Sequence, residues 1–133
     1  MKLLKFIFLT SCFSILPFAA QAHHQGDPIG DLLSQAQSLN YTAQSSWLQP
    51  NVKYAVEHFV SDISSIEDCV IYSPYGDHED SGVSCRDEVY HVQGAWNTVA
   101  RYLYDTNYDF PQVYNQYLQT QYAFQNAIRY MQR

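Results

Sequence analysis

Basic side chains are scarce. Seven Lys and Arg stand against 13 Asp and Glu in 133 residues, a formal charge of −6 with His neutral. Nucleic acid is held through a basic face that releases counterions. The balance therefore argues against nucleic acid and anionic membrane surfaces as partners. Catalytic signatures are missing too. There is no nucleophile elbow, phosphate loop, dinucleotide fingerprint or His-Glu-x-x-His, so no catalytic residue is assigned. The lack of C-x-x-C-H excludes covalent haem by motif. Pairing His23 or His24 with Met131 around a non-covalent haem has no specific support, and Met131 is more simply core. Internal repeats and low-complexity linkers are absent.

A long unbroken apolar run is also lacking. The opening MKLLKFIFLTSCFSILPFAAQA has Lys2 and Lys5 before an apolar stretch, Phe6 to Ala20, interrupted by Thr10, Ser11, Ser14 and Pro17. A membrane anchor needs about 20 consecutive apolar residues. Ala20 and Ala22 occupy the two small-residue positions of a signal-peptidase site. The expectation is a signal peptide over 1–22, cleaved after Ala22, and a single domain over 23–133 in the periplasm or secreted. No membrane span is expected after cleavage. Leu9-Thr10-Ser11-Cys12 also resembles a lipobox. The apolar FSILPFAA that follows is unlike the polar tether of a lipoprotein. Without Lys2 and Lys5, five basic residues face 13 acidic ones, a charge of −8.

Of the three cysteines, Cys69 and Cys85 remain after cleavage. An exported pair meets oxidising conditions, and no second ligand pair at zinc spacing lies near. A disulfide is expected. Closing a loop of about 15 residues stabilises by roughly 3 kcal/mol in the chain-entropy model.

Glycine and proline fall between periodic runs of the mature chain, except Gly30 and Gly94. Four helical segments follow from that punctuation. Asp27-Pro28 reads as an N-cap with proline at the first helical position. Ile29, Leu32, Ala36, Leu39 and Ala43 then repeat at helical spacing, and Leu33 widens the stripe. The end is open between Asn40 and Trp47. After Pro50, the second stripe is Val52, Val56, Phe59, Ile63, Ile66 and Val70. The third opens at Ser84 with Asp87 three residues on, and carries Cys85, Val89, Val92, Trp96, Val99 and Leu103. Gly94 costs this helix about 1 kcal/mol against alanine, so it is expected where a neighbouring helix or ring approaches closely. The fourth starts near Pro111 and carries Phe110, Tyr114, Tyr117, Gln121, Phe124, Ile128 and Met131. Gln121 is expected as its buried polar group. Matched segments of about 20 residues with heptad-like faces predict an all-α, antiparallel up-and-down four-helix bundle. A small helical domain of fewer helices is the rival architecture.

The longest connection, Cys69 to Cys85, holds Asp77, His78, Glu79 and Asp80. Glu67 and Asp68 also crowd the negative end of the second helix. A solvated acidic loop is the plain expectation, with a divalent cation such as Ca²⁺ the alternative. The EF-hand ladder is missing. Cleavage would leave His23 as the first residue, followed by His24. A terminal amine with two imidazoles suits Cu(II), and in that one residue the N-terminus resembles the copper site of polysaccharide monooxygenases. Those enzymes are β-sandwiches, which this helical pattern is not. A mobile polar tail is the simpler expectation. His58 and His91 fall beside their stripes, about 12 Å apart along the axis, and are expected as separate surface residues. No cofactor is expected beyond such a cation.

What is abundant is tyrosine, twelve in all. Tyr54, Tyr90, Tyr104 and Tyr122 fall on outward positions, among glutamines and few charges. Such rings give large rigid contact area. The functional expectation is a non-enzymatic exported protein that binds a protein or envelope component through these tyrosines. The alternative is metal binding, with Ca²⁺ at the acidic loop or copper at His23.

Overall fold

The computed structural model describes residues 27–72 and 85–131, with the side chains of 68–72 and 85–86 outside the description. Within these residues the chain forms four helices and no strand: α1 (Pro28–Gln44), α2 (Pro50–Tyr72), α3 (Cys85–Leu103) and α4 (Pro111–Met131). Residues 1–22, His23, His24 and the stretch Asp77–Asp80 lie outside the described residues. Cys69 falls in the last turns of α2 and Cys85 opens α3, and their side chains are outside the description.

Three helices open on proline, whose fixed φ suits a first turn with no N–H to satisfy. At α1 the Asp27 carboxylate accepts a bond from the Ile29 N–H at 3.1 Å. Helix α1 ends at Gln44, and its last turn is closed by the Ser45 N–H donating to Tyr41 O. Lys53 Nζ then donates to Gln44 O at 3.0 Å, tying the end of α1 to the start of α2. Beyond α3, the Thr106 hydroxyl and N–H both donate to Leu103 O.

The helices pack as a bundle. Helix α1 lies against α2 and α4, and α2 lies against α3. Backbones of α3 and α4 approach less closely. Large rings fill that space. Trp96 of α3 stacks on Tyr117 and Phe124 of α4, with centroids 5.5 and 5.2 Å away. Phe59 of α2 meets Trp96 at 5.1 Å. Offset and tilted rings of this kind gain about 0.5–1.5 kcal/mol per pair beyond their burial.

The buried stripes of α1, α2 and α3 contain most of the residues their periodicity predicts; Leu33 and Val89 are partly buried against the core, and the side chains of Val70 and Cys85 lie outside the description. Ile29, Leu32, Ala36, Leu39 and Ala43 are buried, as are Val56, Phe59, Ile63, Val92, Trp96, Val99 and Leu103. Helix α4 differs. Its buried residues are Val113, Tyr117, Thr120, Ala123 and Ala127. Gln121 is half-buried, while Tyr114 and Phe124 are partly buried against the core. The α4 face is turned so that small residues meet α1 and large rings point toward α3. The polar member of this core is therefore Thr120, with 0% of its surface exposed. Its hydroxyl lies 2.8 Å from Gln116 O and 3.2 Å from Gln35 O. Gln116 Nε2 donates to Gln35 Oε1 at 2.9 Å. Every buried side-chain polar atom among the described residues has a partner. That satisfies the demand a polar group makes in a dry core.

Candidate functional site

An open groove of about 730 Å³ lies between α2 and α3. Helix α2 contributes Pro50, Asn51, Tyr54, Ala55, His58 and Asp62. Helix α3 contributes His91, Gly94, Ala95, Thr98 and Tyr102. These residues flank the buried stripes. Phe59, Val92 and Val99 turn inward, so the next positions round each helix become the walls.

The floor is small and the rims are tall. Ala55, Gly94 and Ala95 leave the middle low, while Tyr54, His58, His91 and Tyr102 rise on either side. Gly94 corrects the expectation of a close approach by a neighbouring helix or ring: a Cβ built there would meet no atom of the described residues within 4 Å. The glycine faces the groove and not a neighbouring helix.

The polar groups are few. His58 Nδ1 lies 3.3 Å from Asp62 Oδ2, an i,i+4 pair in which His58 is 54% exposed and Asp62 only 18%. The Tyr54 ring sits 6.2 Å from that of His58. Asn51 Nδ2 donates to the Tyr102 hydroxyl at 3.4 Å, a long bond between the two walls.

The structure separates the four outward tyrosines. Tyr54 lines the groove. Tyr122 borders a shallower recess of about 380 Å³ with Asp31, Gln35 and Leu118. Tyr90 and Tyr104 belong to neither lining, and all four rings are exposed. Trp47, in the α1–α2 connection, is 95% exposed. His58 and His91, expected as unrelated surface residues, share one groove. The His58 and Asp62 spacing was a readable signal for their pairing. The groove itself was not readable, because it needs the lateral order of the helices. Among the described residues, no group of three or more His, Cys, Asp or Glu is placed to hold a metal ion. No helix among them is long and apolar enough to cross a membrane.

No family model matches the chain, and no curated protein or solved structure is similar to it.

Proposed function

We propose that this is an exported, non-enzymatic bundle that binds a protein or envelope component through its aromatic surface. In this reading residues 1–22 are removed in export, and the helices run up and down in alternation. Cys69 and Cys85 form a disulfide at one end. The alternation draws support from Asn51 lying opposite Tyr102 and Phe59 opposite Trp96. In this reading residue numbers rise along α2 as they fall along α3.

The observation that carries the binding reading is the exposure of large rings: Tyr54, Tyr90, Tyr104 and Tyr122, with Trp47 beyond them. Aromatic side chains cost little entropy to order and dominate protein interfaces when they are accessible. The test is capture of partners by the mature protein from its own envelope extract, with the Tyr90→Ser/Tyr104→Ser double variant alongside. The variant is expected to lose the interaction and keep its helical circular dichroism and melting temperature. Undiminished capture by the variant would count against this surface. Native mass spectrometry with Ca²⁺ and Cu²⁺ discriminates the metal reading. Uptake that is lost on mutating Asp77, Glu79 and Asp80, or His23 and His24, would transfer the function to that site.

A further inference from the structure

We propose that the α2–α3 groove docks an amphipathic helix of a partner protein, with a basic side chain of that helix meeting Asp62. This rests on the binding reading above and names the partner's chemistry.

Shape is the first argument. The walls run from Pro50 to Asp62 on α2 and from His91 to Tyr102 on α3. At about 1.5 Å per residue each wall spans roughly three helical turns. Sites for small ligands enclose most of the ligand's surface. This groove is open along its length, a form that covers one face of a rod and leaves the other in water.

Gly94 is the second argument, independent of the first. Glycine inside a helix weakens it, and helices retain it where backbones must approach. No described residue approaches Gly94, since a Cβ there would meet none of their atoms within 4 Å. The close approach it permits is open to an incoming backbone. With Ala55 and Ala95 beside it, the floor is low enough for an incoming helix to seat its apolar ridge.

Charge selects the sign of that helix. Among the described lining residues Asp62 is the one acidic side chain, and none is Lys or Arg. The nearby Lys53 ammonium is engaged by Gln44 O. The chain as a whole is acidic. A basic residue entering at the Asp62 end completes a pair shielded by the rims, whereas an acidic one is repelled. His58 already touches Asp62, so the incoming cation would share or replace that contact.

The test uses the mature full-length protein and two labelled synthetic helices of 18 residues. Both carry the same Leu/Ala face, one flanked by Lys and its twin by Glu. The Lys helix is expected to bind and to shift amide resonances in 50–62 and 91–102. The Glu twin should bind at least tenfold more weakly. Asp62→Asn should weaken the Lys helix at least fivefold. Gly94→Trp should fill the groove and weaken binding at least tenfold with an unchanged or higher melting temperature; Gly94→Leu serves if the indole perturbs the fold. Equal binding of both helices, resonance shifts outside the groove, or unaltered binding to either Gly94 variant would overturn the proposal. Photo-crosslinking in the native compartment from Thr98 and from Tyr104 separates it from the broader reading. Crosslinks from Thr98 to a basic helical segment support the groove. Crosslinks from Tyr104 alone reject the groove and retain a binding surface, and none at either position rejects both. A small molecule that co-purifies with the protein and is expelled by Gly94→Trp would also overturn the helix.

Discussion

Tyr117 shows how one side chain carries packing and chemistry together. Its ring stacks on Trp96 with the planes 14° apart, and it lies 5.9 Å from the ring of Tyr114. Burial, and then the neighbouring Tyr114 phenol, push its pKa above the ordinary value of 10.0. The folded chain therefore holds this proton more tightly than the unfolded chain does. Below the unfolded value the contribution is intact; as pH rises through the folded value it is lost. Wild type is expected to lose stability more steeply than Tyr117→Phe above about pH 10, read as urea midpoints between pH 8 and 11. Parallel curves would refute this. The same scale shows a limit of pattern reading. A buried polar residue on α4 was legible in the spacing, but Gln121 was the wrong residue. Thr120 is the residue whose hydroxyl can donate to Gln116 O at 2.8 Å or to Gln35 O at 3.2 Å, a choice set by α1.

At the scale of elements, helix starts follow from local chemistry. Pro28, Pro50 and Pro111 open the helices where the sequence places them, because a ring-locked φ acts without tertiary help. The face of α4 does not follow from its own sequence. Large residues there repeat at helical spacing, yet Ala123 and Ala127 are buried while Tyr114 and Phe124 stand at the margin. The reason is unequal spacing between helices. Small residues let α4 come close to α1, and the wider gap to α3 takes the rings. Trp96 is the central ring of that gap, so Trp96→Ala should cost about 3–5 kcal/mol in chemical denaturation. It should also loosen α3 from α4 before α1 from α2, seen as faster amide exchange in α3. A loss below about 1 kcal/mol would mean the rings add little to the association of α3 and α4.

For the whole molecule, two positions stand at opposite ends of α2. Trp47, just before α2, is exposed beside the end of α1. Cys69 lies near the end of α2, and the proposed bridge to Cys85 would restrain the longest connection. Reduction is expected to lower stability by roughly 3 kcal/mol, a large part of the total for a domain of this size. Urea denaturation with and without reductant, together with a thiol count on protein from its native compartment, checks this. Two free thiols there, or an unchanged midpoint on reduction, would remove the bridge from the account.

Among the described residues, the sequence alone determined the four helices, where they begin, and most of the buried stripes of α1, α2 and α3. Turn chemistry and a 3.6-residue period are written within a few residues of one another, so neighbours along the chain suffice to read them. The tertiary structure alone decided which face α4 buries, that Gly94 opens outward, and that His58, Asp62 and His91 share one groove. Those outcomes depend on which helix lies beside which and at what distance. That distance is set by side chains drawn from several helices at once, a quantity no single stretch contains.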